Sequence, residues 1–256
     1  MEEQKRILII GDLHAPKSFA SVDALIERVR PDRIVLLGDY LDHFGDSPAD
    51  AARMGAWLQV RLADPRYTFL LGNHDLPYLF PGQITCPGNT LDKALAFDGN
   101  LDVDAFLEVA TLALWLDKKI LLTHAGLSHR WVPEGLAVEA LPVWLEREIS
   151  CAWEDLKKSD GWPRHWIWRA GFARGGDQSI GGLLWCDYED EFHPIPGVSQ
   201  IFGHTPAREI RRRDAPDGTV NLCIDTCDPY GGGPHEALLI EGGDFRVVEL
   251  SHPKDD

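Results

Sequence analysis

Side chains that could hold metal ions follow several apolar runs in this 256-residue sequence. They are Asp12, His14, Asp39, Asp42, Asn73, His74, Asp75, His124 and His204. Carboxylates that converge on one place repel each other and raise each other's pKa values unless a cation lies among them. Imidazole combined with carboxylate suits manganese, iron or zinc, whereas oxygen ligands alone suit magnesium or calcium. These residues outnumber the ligands that one ion needs, so they indicate two ions that share a bridging carboxylate.

Two metal ions about 3.5–4 Å apart form a template for in-line displacement at phosphorus. Such ions lower the pKa of bound water toward neutrality, hold the phosphoryl oxygens and neutralise their charge. The chain carries a formal net charge of −16, which repels nucleic acids and anionic membranes at long range. Bound cations would still attract a phosphate ester, because they dominate the local field. We therefore expect a phosphorylated substrate and neither nucleic acid nor membrane as partner.

The elements that must position these residues alternate in the first third of the chain. RILII (6–10), RIVLL (33–37) and RYTFLL (66–71) are typical of buried strands, and residues 19–30 and 49–62 show the apolar spacing of helices. This alternation predicts βαβ units in a largely parallel sheet that helices cover. Ligands collect at the carboxyl ends of parallel strands, so we expect the polar clusters that follow these strands to lie side by side.

The rest of the sequence predicts other elements. Residues 81–100 contain Pro, Gly and Asn and are predicted to form a loop, with a helix following at about 102–110. A segment at about 135–180 is predicted to form a helical cap or insertion. Further strands are predicted within LALWL, KILLTH (119–124), SQIFGHTP (199–206), TVNLCIDT (219–226), ALLIE (237–241) and FRVVEL (245–250). The sheet is expected to become mixed or antiparallel there, and residues 1–256 are interpreted as one domain.

The sequence also bears on where the protein works. No apolar stretch approaches the ~18 residues that span a bilayer. The opening MEEQKRILII lacks the features of a signal peptide. Five cysteines without a framework spacing indicate reduced thiols. A cytoplasmic location is therefore expected, and the oligomeric state is left open.

Five short motifs occur in order along the chain. They are GDLH (11–14), GDYLD (38–42), GNHD (72–75), THAG (123–126) and FGHT (202–205). This series resembles the motifs of the calcineurin-like metallophosphoesterases, and the resemblance extends from residue 6 to about residue 241. It implies an α/β fold, the α/β/β/α sandwich of two mixed sheets flanked by helices.

Two later segments resemble the PPP-type branch of that family, which contains serine/threonine protein phosphatases and dinucleoside tetraphosphatases. GGLLWCDYEDE (181–191) is similar to its LLW-x-D segment. IDTCDPYGG (224–232) is similar to its DTG-x-x-Y-GG segment, with Cys227 where glycine is usual.

The resemblance implies a role for each matched residue. The implied metal ligands are Asp12 and His14 for the first ion, Asn73, His124 and His204 for the second, and Asp39 as the bridge between both. His74 would protonate the leaving oxygen of the substrate. Asp42 would orient His74 and favour its imidazolium form. Asp75 is assigned a structural role, and Asp46 is interpreted as an ordinary loop residue.

One position departs from the pattern of the PPP-type branch. An arginine usually follows the second aspartate of GD-x-x-D and grips the phosphate with its bidentate fork. His43 occupies that position here, and an imidazole cannot form the fork. Arg169 and Arg174 are the candidate replacements, with Arg174 slightly favoured. His43 itself is either a substrate-binding residue or a pocket-wall residue without a specific substrate bond.

These observations leave two enzyme classes open. The first is a phosphatase that cleaves phosphomonoesters, in a phosphoprotein or a small phosphate ester, by attack of a metal-bound hydroxide with His74 as general acid. The second is a hydrolase of dinucleoside polyphosphates or cyclic nucleotides, which His43 and the insertion keep open. The complete ligand set disfavours a third reading, a non-catalytic interaction module. Manganese is the expected metal, with iron, zinc, nickel and magnesium as alternatives.

Overall fold

A computed structural model describes residues 5–14, 16–43, 45–228 and 233–250 of the protein. The end of the IDTCDPYGG segment, 229–232, lies outside this part. In chain order the strands are β1 (Ile7–Ile10), β2 (Arg33–Leu36), β3 (Tyr67–Phe69), β4 (Ala113–Leu116), β5 (Ile120–Thr123), β6 (Ser199–Phe202), β7 (Arg211–Asp214), β8 (Val220–Cys223), β9 (Cys227–Asp228), β10 (Gly233–Pro234), β11 (Glu236–Glu241) and β12 (Asp244–Glu249). They form two five-stranded sheets and a short ladder between β9 and β10.

Helices connect these strands. The α-helices are α1 (Phe19–Val29), α2 (Pro48–Leu62), α3 (Leu76–Leu79), α4 (Leu91–Asp98), α5 (Val103–Val109) and α6 (Leu141–Lys158). Short 3₁₀ turns occur at Pro16–Ser18, His129–Trp131, Val138–Ala140, Trp166–Trp168 and Phe172–Arg174. Within the described ranges, every helix is too short or too polar to cross a membrane.

Both sheets are mixed. The first has the order β12-β11-β1-β2-β3, and its strands β1, β2 and β3 run parallel, as their sequences predict. The second has the order β4-β5-β6-β8-β7, with β5, β6 and β8 parallel and the two edge strands antiparallel to their neighbours. The carboxyl ends of three parallel strands in each sheet are therefore available to build a site.

The two sheets pack face to face, with helices on their outer surfaces. In β1, Ile9 points into the core between the sheets, whereas Leu8 and Ile10 belong to the core that the helices cover. Ile9 shares the inner core with residues of both sheets, including Val35, Leu122, Ile201 and Leu222. A strand that is buried on both faces carries apolar residues without a break, which explains RILII and RIVLL. The expected α/β/β/α arrangement is confirmed.

The predicted loop at 81–100 is wrong in its second half, where α4 lies. The side chain of Thr90 caps this helix by accepting a hydrogen bond from the backbone N–H of Lys93 at 3.4 Å. The helix hides a charged residue and exposes apolar ones: Lys93 is buried, while Leu91 and Leu95 are exposed. Ala94 and Phe97 are buried as well, so apolar residues lie on both sides of α4 and do not form the stripe that would indicate a helix.

Helix α6 occupies much of the predicted insertion. Its residues Leu145, Ala152 and Leu156 pack into the outer core, which lies between the sheets on one side and their covering helices on the other. The interpretation of about 135–180 as a cap stays a prediction.

Candidate metal centre

The predicted ligands meet where strands of both sheets end. Asp12, Asp39 and Asn73 follow β1, β2 and β3, while His124 and His204 follow β5 and β6. Glycines make this convergence sterically feasible. A Cβ atom at Gly72 would lie 2.1 Å from Oδ1 of Asp39, and one at Gly203 would lie 2.1 Å from Oδ1 of Asp12. The glycines of the GNHD and FGHT motifs therefore leave room for the carboxylates.

Asp12, His14 and Asp39 form the first group of candidate ligands. Their ligand atoms lie within 4.8 Å of one another. Nε2 of His14 is 3.8 Å from Oδ2 of Asp12 and 3.7 Å from Oδ2 of Asp39. Nδ1 of His14 lies 2.7 Å from the carbonyl oxygen of Leu41 and donates to it, which leaves the Nε2 lone pair for a metal ion.

Asp39 also belongs to a second group, with His124 and His204. Nε2 of His124 lies 3.4 Å from Oδ2 of Asp39 and 3.2 Å from Nδ1 of His204. It also lies 3.0 Å from Oδ1 of Asn73. Nδ1 of His124 donates to the carbonyl oxygen of Leu37 at 2.9 Å, so Nε2 and its neighbours present lone pairs to the same point.

The Asn73 amide is oriented for this second group. Its Nδ2 lies 3.5 Å from Sγ of Cys86 and donates to it, so Oδ1 is the atom that faces His124. All predicted ligands of both groups are thus brought together.

The electrostatics of these groups fit metal ligation. Burial lowers the pKa of His14 and lowers that of His204 well below its usual range, so both rings are neutral as ligands must be. Burial opposes the charge of His124, yet Asp39 beside it raises the pKa of His124 to about 9. A metal ion bound by the second group would therefore displace the proton from Nε2 of His124. Nδ1 is the His204 atom that faces His124, and Nε2 of His204 is buried without a hydrogen-bond partner in the described residues.

Asp225 is a buried carboxylate of the site that sequence reasoning did not single out. It follows β8 as Asp12 follows β1, and that position at a strand end was the available signal. Burial, reinforced by the charge of Asp39, raises the pKa of Asp225 to about 7. Burial and the charge of Asp225 together raise the pKa of Asp12 well above its usual range. A bound cation would relieve this repulsion among the carboxylates.

Strained backbone is concentrated at the same place. His14, Asp39, Asp42 and His204 have φ values of 50°, 50°, 71° and 70°. Non-glycine residues adopt this left-handed conformation at a cost of about 1–3 kcal/mol each, and such residues cluster at functional sites.

His74 and Asp42 form a pair beside the ligands. Nδ1 of His74 lies 3.2 Å from Oδ2 of Asp42, and the backbone N–H of His74 donates to Oδ1 of Asp39 at 2.9 Å. The His74 ring meets the His14 ring edge to face at 5.3 Å. Burial disfavours a charged imidazole, but Asp39 and the hydrogen bond to Asp42 raise the pKa of His74 well above its usual value. This environment holds a proton on His74.

Asp75 lies beneath the site and contacts backbone only. Its carboxylate accepts hydrogen bonds from the N–H groups of Asp39, Tyr40 and Gly72 at 2.8–2.9 Å. It therefore fixes the turn that carries Asp39, in agreement with a structural role. Burial and the charge of Asp39 raise the pKa of Asp75 to about 7.

The two arginines considered as phosphate ligands occupy different surroundings. Nη2 of Arg174 lies 2.9 Å from Oδ2 of Asp187, and it donates to Oγ1 of Thr205 at 2.8 Å and to the carbonyl oxygen of His204 at 3.4 Å. Arg174 thus adjoins a candidate ligand. Arg169 pairs instead with Asp177, which is mostly exposed, and no contact joins it to the candidate ligands in the described residues.

His43 lies at the edge of the same region. It is half-buried, and its Nε2 atom has no hydrogen-bond partner in the part of the chain that the structure describes. A buried polar atom without a partner is costly unless something binds it. His43 thus stays a candidate for substrate binding, although its Nε2 atom is not exposed to solvent in this structure.

Comparison with known protein families shows to which family the chain belongs. The family model for calcineurin-like phosphoesterases matches residues 5–208. The chain belongs to this family. Its members hydrolyse phosphoester bonds with the help of metal ions, so the protein is a metal-dependent phosphoester hydrolase.

Solved structures share the fold of this calcineurin-like phosphoesterase. A putative diadenosine tetraphosphatase aligns over 97% of this chain and 95% of its own, with 19% identity and a TM-score of 0.53. A serine/threonine phosphatase from Saccharomyces cerevisiae, described as similar to human phosphatase PP5, aligns over 99% of this chain and 82% of its own, with 15% identity and a TM-score of 0.54. The search of curated proteins finds no significant match.

Proposed function

We propose that the protein is a dinuclear-metal phosphohydrolase of the PPP-type branch that cleaves phosphomonoesters, either in phosphoproteins or in small phosphate esters. The observation that carries this proposal is the position of Asp39. Its carboxylate belongs to both groups of candidate ligands, and it also accepts the N–H of His74. One carboxylate thus links two potential ion sites to the residue proposed as general acid.

Asp12, His14 and Asp39 would hold one ion, and Asp39, Asn73, His124 and His204 the other. Neutral imidazoles mixed with buried carboxylates suit manganese, our first choice, as well as iron, zinc and nickel; magnesium fits less well. When bound, the two ions would neutralise the phosphoryl group and activate water for in-line attack. The large negative net charge disfavours nucleic acid and membrane partners. We also propose a cytoplasmic location, because the cysteines lack a disulfide framework.

The remaining residues of the site would complete the reaction. His74 would give its proton to the leaving oxygen as the P–O bond breaks, and Asp42 would hold the ring in place. Arg174 would contact the phosphate from the side of His204. Arg169 is a weaker candidate, because its ion-pair partner is Asp177 and no contact joins it to the candidate ligands in the described residues.

His43 supports a second candidate function. A phosphatase lacking the usual arginine grips a terminal phosphate less firmly, and Nε2 of His43 has no partner in the described residues. A hydrolase of dinucleoside polyphosphates or cyclic nucleotides needs no such terminal grip. The structural similarity to a putative diadenosine tetraphosphatase agrees with this alternative, although it shows the fold alone.

Kinetics on matched substrates separate the two functions. Manganese-loaded protein should hydrolyse p-nitrophenyl phosphate with a kcat/KM at least about tenfold above that for bis-p-nitrophenyl phosphate or diadenosine tetraphosphate, a difference of about 1.4 kcal/mol in transition-state binding. The control is the same protein after chelation of its metal, which should be inactive on all three. A preference for either of the other two substrates would favour the second function.

A further inference from the structure

Lys93 is a buried cation next to the proposed site, and its side chain is fully engaged. Its Nζ atom lies 3.1 Å from Oδ1 of Asp42, 2.5 Å from Oδ1 of Asp46 and 2.7 Å from the carbonyl oxygen of Gly88. An ammonium group has three protons, and these three acceptors take all of them. Lys93 therefore has no donor left for a substrate phosphate, so it cannot replace the arginine missing at His43.

The contacts of Asp42 are divided between its two oxygens. Oδ2 faces Nδ1 of His74, while Oδ1 accepts hydrogen bonds from Lys93 and from the hydroxyl group of Tyr78. The Asp42 side chain is entirely buried. Gly88 packs on it as well, since a Cβ there would lie 3.0 Å from the Asp42 side chain. The carboxylate thus has one orientation, and that orientation presents Oδ2 to His74.

Lys93 lies between two buried carboxylates. The side chains of Asp42 and Asp46 are 0% and 6% exposed, so two carboxylates lie close together with little water. Burial opposes the charge of Lys93, but its hydrogen bonds to Asp46 and Asp42 raise its pKa, so the ammonium stays protonated. Lys93 thus supplies a positive charge between the two carboxylates. Asp46 is thus more than an ordinary loop residue.

We infer that Lys93 is a positioning residue for proton delivery by His74. It holds Oδ1 of Asp42 so that Oδ2 stays aligned with Nδ1 of His74, and it attaches α4 to the site. The oxygen of a water molecule bonds to phosphorus as the bond from phosphorus to the leaving oxygen breaks. The electron pair of the broken bond goes to the leaving oxygen, which takes the proton of His74. The attacking water gives up a proton to solvent, and His74 regains one from solvent. This inference rests on the proposed function, because it concerns the general acid of that reaction.

Dependence on the leaving group tests this role. Phenyl phosphate has a poor leaving group that needs a proton, whereas dinitrophenyl phosphate has a good one that does not. Lys93→Met keeps the aliphatic stem and removes the ammonium group. We expect kcat on phenyl phosphate to fall by about 10- to 100-fold, the range for residues that orient a catalytic group. On dinitrophenyl phosphate the fall should stay below about threefold, and KM and bound metal should not change.

Two further variants keep the result interpretable, one in case Lys93→Met does not fold and one as a surface control. Lys93→Met leaves two buried carboxylates short of a cation and could prevent folding. The double variant Lys93→Met with Asp46→Asn removes one charge of each sign, and it should show the same dependence on the leaving group. Lys158→Met breaks an exposed ion pair with Glu154 on α6 and should leave both rates unchanged.

Each alternative outcome has a distinct meaning. An equal loss on both substrates, a change in KM alone, a loss of metal or unchanged kinetics in a folded variant would overturn the role of Lys93. If the unmodified protein hydrolyses neither substrate with metal present, the proposed function itself fails.

Discussion

Asp39→Asn should reduce kcat/KM for phosphomonoesters by about 10³-fold or more, because metal ions supply several kcal/mol of transition-state stabilisation and each 1.4 kcal/mol is about tenfold in rate. The introduced amide could keep an oxygen for the N–H of His74, which Oδ1 of Asp39 accepts at 2.9 Å. The amide nitrogen would then face Nε2 of His14 and of His124, where the aspartate presents Oδ2. The substitution therefore removes a charged ligand from both groups at once.

Elemental analysis of reconstituted protein, together with its hydrolysis rate, measures this effect. The variant should bind fewer than two manganese ions per chain and should lose activity in parallel. Asp64→Asn is a matched control, because Asp64 pairs with Arg66 at 2.7 Å on the surface and should keep full metal content and rate. Retention of both ions by Asp39→Asn would show that Asp39 is not the bridge.

His74→Ala should lower kcat on phenyl phosphate, whose leaving group needs a proton, by about 10²–10⁴-fold while both metal ions remain bound. The reason is that the contacts of His74 are divided between backbone and side chain. The backbone N–H of His74 donates to Asp39, and an alanine would keep this hydrogen bond. The imidazole ring, which contacts Asp42, would be lost. The rate of the chemical step should therefore fall, while the two groups of metal ligands stay intact.

Steady-state kinetics and metal content of the same preparation check this result. His129→Ala is the control, because His129 is exposed and has no assigned role in the reaction. Unchanged kcat in His74→Ala would refute its role as general acid, and loss of metal would reassign it to the metal centre.

Local sequence was sufficient to predict the three parallel strands of the first sheet and the place where the polar side chains that follow them collect. The runs before Gly11 and Gly38 are apolar without a break because both faces of these strands are buried. Parallel strands must align their carboxyl ends, so Asp12 and Asp39 had to be neighbours. The ligand atoms of these residues do meet in one group.

The second sheet was implied by family resemblance and not by local pattern. Strand β8 lies between β6 and β7 in the sheet, although β7 precedes it in the chain. The order of the strands in space therefore differs from their order in the sequence. Such an order depends on contacts between distant residues, which the apolar spacing of a single segment does not encode. The mixed character of the sheet was nevertheless expected from its short strands and tight turns.

The surroundings of Asp42 were beyond the reach of sequence reasoning. Lys93 is 51 residues away from Asp42 along the chain, and Tyr78 is 36 residues away. Lysine is almost always exposed, so nothing in its type or spacing indicated a buried ion pair. Asp225 differs from Lys93 and Tyr78, because its position directly after a predicted strand could have indicated that it belongs to the site.

Two metal ions that share Asp39 are the central feature of the proposed site, and a metal titration tests them most directly. Metal-free protein is titrated with manganese while bound metal and hydrolysis of p-nitrophenyl phosphate are measured at each step. We predict that the rate rises with bound metal and reaches its plateau at two ions per chain. A full rate with one bound ion, or hydrolysis by the metal-free protein, would contradict a dinuclear site.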